Sequence, residues 1–158
     1  MEPRAFQDEL AEAGFYHCWG CGSQNEHGLQ IKSYWDDGDG ICTWQPQPYH
    51  QAWPGIVNGG ILATIIDCHS ACTATAAAYR AENRAMNTPP LIAFVTAALQ
   101  ISYLRPTPIT EPLLLRAVIS HQTRNKIRLT CVLTVQGQTC VRAEAVMVRL
   151  RAKPGAGG

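Results

Sequence analysis

The sequence lacks an excess of charge of either sign. Its 158 residues include 13 Lys and Arg against 12 Asp and Glu, a formal net charge of +1, and only 16% of the residues are charged. No basic face of the kind that binds nucleic acid is therefore expected. At 46% hydrophobic, the chain is too apolar for wholesale disorder, and its length suits one domain.

The sequence also lacks targeting and membrane signals. Residues 1–17 are acidic and contain no apolar run, so we expect no signal peptide. No apolar stretch approaches the roughly 18–20 residues that a membrane-spanning helix needs. These features predict a cytoplasmic protein without a membrane partner.

Cysteine, in contrast, is frequent: the chain has seven, and without a secretory signal they do not predict a disulfide framework. Cys18 and Cys21, with His17 and His27 nearby, have the spacing of a zinc knuckle. A second close cysteine pair is absent, and Cys42 would have to come from a separate hairpin. We therefore expect no metal here, only a turn that positions the N-terminal arm.

The chain divides into an N-terminal arm or short helix (residues 1–17), a main domain (18–150) and a disordered tail (151–158). Within the domain, apolar residues recur every three to four positions over one long helical segment that follows Asn58, a good N-cap residue. Two β-rich runs flank the turn at 36–40 and predict a hairpin.

The remainder of the domain is predicted to be strand, which gives the order β-β-α-β-β-β-β. The long apolar run at 91–104 predicts a central strand covered on both faces. One helix covers only one face of a six-stranded antiparallel sheet. An apolar second face or edge favours self-association, so we expect a homodimer, with a tetramer of paired dimers as a further option.

Two features of the long helix suggest chemistry. The pair Gly59-Gly60 at its start leaves backbone N–H groups uncovered at the positive end of the helix dipole, where they suit an oxyanion or a polarised carbonyl. Asp67, two turns later, is a carboxylate in an apolar stretch and needs a partner or a role. The alternative is that the glycines are a packing contact and Asp67 is structural. His69 points about 200° away from Asp67 and is expected to be a packed histidine.

The segment Pro54-Gly-Ile-Val-Asn-Gly-Gly-Ile-Leu-Ala-x-x-x-Asp67 resembles the signature of hotdog-fold acyl-CoA thioesterases of the phenylacetic-acid-degradation type. The run Ile101-Ser-Tyr-Leu-Arg-Pro106 and the closing AEAVMVRL are similar to that family too. The resemblance implies an α+β hotdog fold, in which a six-stranded, mainly antiparallel sheet wraps one long helix.

The resemblance also implies roles for individual residues. Asp67 matches the catalytic carboxylate, Gly59 the residue whose N–H polarises the thioester carbonyl, and Thr96 a hydroxyl that helps to place the attacking water. Asn58 replaces the usual His before the glycine pair, and Ala52 replaces a usual Asn or Gln, for which His50 or Gln51 are possible substitutes. The expected substrate and coenzyme A contacts are Val57, Gly60, Arg105, Arg124 and Lys126. We expect the three basic residues to lie in turns at one end of the sheet, where the alternative is that they are solvated loop charges.

The implied activity is hydrolysis of an acyl-CoA thioester, without a cofactor, at a site shared across a homodimer. Two alternatives stay open: a hotdog enoyl-CoA hydratase or dehydratase, and a non-enzymatic acyl-CoA-binding module. The absence of His at position 58 counts against the hydratase. The acyl group is not apparent from the sequence.

Overall fold

One long helix packs against one face of a six-stranded antiparallel sheet. The computed structural model describes residues 2–10 and 14–151. In chain order the elements are α1 (Phe6–Glu9), β1 (Ser33–Asp36), β2 (Asp39–Trp44), α2 (Gly59–Ala81), β3 (Phe94–Tyr103), β4 (Leu113–Gln122), β5 (Lys126–Val135) and β6 (Gln138–Arg149). The strands lie in the order β1-β2-β4-β5-β6-β3. This arrangement confirms the predicted hotdog architecture and element order.

Two tight turns fix the register of neighbouring strands. Asp37 and Gly38 connect β1 to β2 with φ angles of 47° and 88°, and Gln136 and Gly137 connect β5 to β6 with φ angles of 49° and 78°. Two-residue hairpin turns with positive φ at both positions match the right-handed twist of the strands. The predicted hairpin at 36–40 is therefore confirmed.

The core lies between α2 and the inner face of the sheet. On β5 the residues Ile127, Leu129, Cys131, Leu133 and Val135 are buried, as their alternation in sequence predicts. The N-terminal arm contributes to the same core, because Phe6 and Leu10 are buried in it. Residues 11–13 and all of the expected disordered tail except Arg151 lie outside the described residues.

The position of β3 corrects the sequence-based expectation. The run at 91–104 was predicted to be a central strand covered on both faces, but β3 is at the edge of the sheet and pairs only with β6. Ala97, Ala98 and Gln100 are exposed on it. The prediction was wrong because a run of apolar and small residues does not by itself distinguish an edge strand from a central one.

Helix α2 also corrects the expectation about apolar stretches. By length and composition it meets the criterion for a membrane span, with a mean hydropathy of 1.3 over its most apolar window. However, 72% of that window is buried inside the fold. The core helix of a globular domain has the same hydropathy, so this feature is weak support for a membrane role.

A buried polar network ties α2 to both strands of the first hairpin. The Nε2–H of His69 donates to the Gly40 carbonyl at 3.1 Å, which leaves Nδ1 to accept from the Ser33 hydroxyl at 2.8 Å. Ser33 in turn accepts from the Gln7 amide at 2.9 Å. Burial lowers the pKa of His69 to about 4, so its ring is neutral near pH 7. His69 is therefore a packed core histidine, as expected.

The hairpin approaches α2 most closely at Gly40. A Cβ atom there would overlap Thr73 Oγ1 and lie 2.7 Å from Thr73 Cγ2. Thr73 Oγ1 is itself buried with no hydrogen-bond partner among the described residues. The position requires glycine because no side chain fits between β2 and the helix.

We predict that Gly40→Ala lowers the free energy of unfolding by about 1–3 kcal/mol through overpacking. In a Thr73→Ala background the two nearest obstructing atoms are gone, and the same substitution should cost less than about 1 kcal/mol. Urea denaturation of the two single variants and the double variant measures this coupling. An equal cost in both backgrounds would contradict the proposed collision.

Candidate functional site

Asn58 caps the N-terminus of α2. Its Oδ1 atom accepts hydrogen bonds from the backbone N–H groups of Gly60 at 2.9 Å and Ile61 at 3.2 Å. A capping side chain of this kind satisfies donors that have no acceptor inside the helix. The predicted cap is therefore confirmed.

The cap leaves one free donor at this end of the helix. The N–H of Gly59 has no acceptor among the described residues, whereas that of Gly60 bonds to Asn58. The N–H of Val57 donates to the Thr107 carbonyl at 2.9 Å, and the Val57 side chain is buried. The expectation of an uncovered glycine pair is thus corrected to a single group, the Gly59 N–H.

Tyr103 closes one side of this helix terminus. Its hydroxyl donates to the Gly59 carbonyl at 2.7 Å, and its ring lies 3.4 Å from where a Gly59 Cβ would be. The contact joins the end of β3 to the start of α2. It was not anticipated from the sequence, since no local pattern connects positions 44 residues apart.

Asp67 and Thr96 meet across the interface between α2 and β3. The Thr96 hydroxyl donates to Asp67 Oδ1, and both residues are half-buried. The pairing of β3 with β6 shifts by one residue between Thr96 and Ala98, which marks a β-bulge. Bulges redirect neighbouring side chains and are frequent beside active sites. The structure therefore brings together two of the residues that the sequence selected.

A cavity of about 280 Å³ adjoins this pair. Besides Asp67 and Thr96, its walls are formed by Phe15, Phe94, Val95, Ala71, Cys18, Cys21, Cys68 and Cys72. The lining is mostly apolar, with one carboxylate and one hydroxyl. Such a site suits an apolar group that carries a single reactive polar function.

Gly59 and Asp67 are too far apart in one chain to act on one carbonyl. They are eight residues apart on one continuous helix, which corresponds to about 12 Å along its axis. Polarisation and attack both require groups within about 3 Å of the same carbonyl. One chain therefore supplies either the Gly59 N–H or the Asp67 carboxylate to a given reaction site, but not both.

The sequence predicts that the three basic residues lie at one end of the sheet, and this prediction is wrong, because they lie at opposite ends. Arg124 lies in the turn between β4 and β5, and Lys126 is the first residue of β5, opposite Val148. Arg105 follows β3 at the other end and donates to the Thr139 carbonyl at 2.8 Å. Arg124 also lines a second cavity of about 490 Å³, next to the C-terminal end of α2.

His50 and Gln51 stabilise their own loop. His50 Nδ1 accepts the Gln47 N–H at 2.9 Å, and its ring packs on Trp44 at 4.9 Å between centroids. Gln51 Oε1 accepts the Gly55 N–H at 3.4 Å. Both side chains therefore have local structural roles in this chain, and Ala52 has no obvious replacement nearby.

Four cysteines form a cluster that the sequence analysis missed. Cys18 and Cys21 lie against Cys68 and Cys72 of α2, and the Sγ atoms of Cys18 and Cys68 are 3.6 Å apart. The argument that no second cysteine pair exists was wrong. Cys68 and Cys72 are one helical turn apart and share a face, a spacing that could have revealed them.

The fold and the position of Asp67 define a hotdog-fold protein with a carboxylate on its central helix. Residues 54–142 match the thioesterase superfamily, and the chain belongs to that family. The predicted family is therefore confirmed.

Individual relatives agree with this assignment. A thioesterase superfamily protein from Shewanella loihica PV-4 is 36% identical, with a TM-score of 0.64 over 82% of this chain and 98% of that one. The E. coli PaaI protein of the phenylacetic acid degradation operon shares the fold, with a TM-score of 0.69 at 19% identity over 93% of this chain and 95% of that one.

Acyl-coenzyme A thioesterase THEM4 from Bos taurus is 25% identical over 115 residues, which are 72% of this chain and 41% of that protein. The chain therefore spans less than half the length of this curated relative.

We predict that Asn58→Ala lowers the free energy of unfolding by about 1 kcal/mol, because two helix N–H groups lose their acceptor. Asn58→Asp keeps an acceptor oxygen and is the matched control, with a loss of a few tenths of a kcal/mol at most. Urea denaturation measures both. Equal destabilisation by the two substitutions would show that the cap is not the source of the effect.

Proposed function

We propose that the protein hydrolyses an acyl-CoA thioester to a carboxylic acid and free coenzyme A. The main support is the position of the Asp67 carboxylate, which lies on the central helix, accepts a hydrogen bond from the Thr96 hydroxyl and lines a mostly apolar cavity. Membership of the thioesterase superfamily supports the proposal that a thioester bond is cleaved. The bovine relative's name, an acyl-coenzyme A thioesterase, supports the substrate class.

In the proposed reaction, the carboxylate of Asp67 either activates a water molecule or attacks the thioester itself. Thr96 binds Oδ1, which leaves Oδ2 free to take a proton from water as that water adds to the thioester carbonyl carbon. Direct attack by the carboxylate, with later hydrolysis of the anhydride, uses the same oxygen. In both routes the C–S bond breaks and the departing thiolate of coenzyme A takes up a proton.

The carbonyl oxygen would be polarised by the Gly59 N–H of a second subunit. The separation of about 12 Å along α2 requires a donor from elsewhere, and the free Gly59 N–H has the correct polarity at the positive end of the helix dipole. The unpaired edge of β3 offers the surface for a second copy, because an open strand edge is a template for pairing.

The contacts of β3 are compatible with this assembly. Asp67 bonds to Thr96 near one end of the strand, and Gly59 bonds to Tyr103 at the other. Antiparallel pairing of two β3 edges about a two-fold axis near Leu99 and Gln100 places Thr96 opposite the partner's Tyr103. Each carboxylate then faces the partner's helix terminus, and the dimer contains two such sites.

The same symmetry gives a role to the separated basic residues. Antiparallel pairing sets the Arg105 end of one sheet beside the Arg124 and Lys126 end of the other. We assign these three cations to the phosphates of coenzyme A, which guanidinium and ammonium groups bind by charge-assisted hydrogen bonds. Pairing of two dimers into a tetramer remains a compatible extension through the exposed sheet face.

We predict that Asp67→Asn lowers kcat/KM for acyl-CoA hydrolysis by about 10²-fold or more, since a general base or nucleophile is lost. Thr96→Val removes only the hydroxyl that positions the carboxylate and should cost about tenfold. Release of free thiol from a panel of acyl-CoA thioesters, from short aliphatic to aromatic, measures both effects and identifies the preferred acyl group.

Circular dichroism and thermal melting are the controls for folding. We expect Asp67→Asn to match the wild type in both, because Asn is nearly isosteric with Asp and accepts the Thr96 hydrogen bond. Hydrolysis of every thioester by Asp67→Asn at the wild-type rate would mean that the carboxylate is structural. A non-enzymatic acyl-CoA-binding module would then be the better interpretation.

A further inference from the structure

The cysteine cluster, defined as Cys18, Cys21, Cys68 and Cys72, lines one side of the cavity beside Asp67 and contains four of the seven cysteines. The Sγ atoms of Cys18, Cys21 and Cys68 all lie within 4.8 Å of one another, and those of Cys18 and Cys68 are 3.6 Å apart. Four sulfurs at about 2.3 Å from a tetrahedral zinc ion are separated by about 3.8 Å. A disulfide needs about 2.05 Å, so the spacing matches shared coordination.

The fourth thiol lies on the helix. Cys72 is one turn beyond Cys68, on the same face of α2, and its side chain lines the same cavity as the other three cysteines. The arrangement therefore combines a Cys-x-x-Cys turn with a Cys-x-x-x-Cys helix. Cys42, Cys131 and Cys140 are buried elsewhere in the sheet and take no part in the cluster.

Two glycines let the turn that carries Cys18 and Cys21 pack directly against α2. A Cβ atom at Gly20 would overlap Cys68 Sγ and lie 2.9 Å from Thr64 Cγ2, so a larger residue would separate the two cysteine pairs. The N–H of Gly22 donates to the Cys18 carbonyl at 2.8 Å and closes the turn.

We propose that Cys18, Cys21, Cys68 and Cys72 bind one Zn²⁺ ion that cross-links the N-terminal segment to α2. Four thiolates suit a thiophilic divalent cation and leave no open coordination position, so the role is structural. Binding displaces the thiol protons of the cluster into solution. Since Cys68 directly follows Asp67, the ion fixes one wall of the reaction cavity without taking part in the chemistry.

The test is metal binding by the full chain, prepared metal-free under reducing conditions and titrated with ZnCl₂ and, in parallel, CoCl₂. We expect one equivalent of Zn²⁺ per chain and, with Co²⁺, a sulfur-to-metal charge-transfer spectrum of four thiolates. Cys18→Ser, which alters a half-buried side chain, and Cys68→Ser should each reduce the affinity by at least tenfold. Cys140→Ser, on β6, is the control and should bind as the wild type does.

A second readout tests the cross-link. Removing Zn²⁺ with a chelator should lower the melting temperature of the wild type and of Cys140→Ser, and that of Cys18→Ser by less, because weaker binding stabilises the fold less. Neither measurement uses a thioester substrate, so failure of the metal site and failure of the proposed hydrolysis are distinguishable.

Four results would contradict the proposal as stated. Reduced wild-type protein that binds no Zn²⁺ excludes the site, as does equal affinity in wild type and Cys68→Ser. If air oxidation of the reduced, metal-free protein only forms a disulfide between Cys18 and Cys68, seen by mass spectrometry as the loss of two hydrogen atoms, the two thiols are a redox pair instead. An unchanged charge-transfer spectrum in Cys72→Ser removes Cys72 from the ligand set.

Discussion

The rigidity of α2 is the constraint on which the site depends. The helix is one continuous element from Gly59 to Ala81, capped by Asn58 and buried for most of its length against the sheet. It therefore fixes the free N–H at its start and the carboxylate two turns later at a constant separation of about 12 Å. No side-chain rotation brings the two to one carbonyl, so the site in our account needs a second helix.

The same helix accounts for the other polar features of the core. His69 anchors the first hairpin through Ser33 and Gly40, on the side of α2 away from Asp67. Cys68 and Cys72 meet the N-terminal segment beside the cavity. A single helix thus carries the cap, the carboxylate, the buried histidine and half of the cysteine cluster, each on a face set by its position in the helical repeat.

Much of this follows from local sequence pattern. The cap at Asn58, the turn at Asp37-Gly38, the alternation along β5 and the choice of Asp67 each depend on a few adjacent residues, and each is found as predicted or, for Asp67, at a cavity. The remaining features depend on contacts between distant segments. The edge position of β3, the contact of Tyr103 with Gly59 and the approach of Cys21 to Cys68 are set by tertiary packing, which no short window of sequence encodes.

The most direct test of the account is whether one site uses two chains. Gly59→Pro removes only the free N–H, since proline suits the first position of a helix and the ψ of 131° at Asn58 is compatible with a following proline. Gly59→Pro and Asp67→Asn should each be nearly inactive. After subunit exchange in an equal mixture, half of the dimers are hybrids with one intact site, and about a quarter of wild-type activity should return. A mixture no more active than its two components would contradict the shared site.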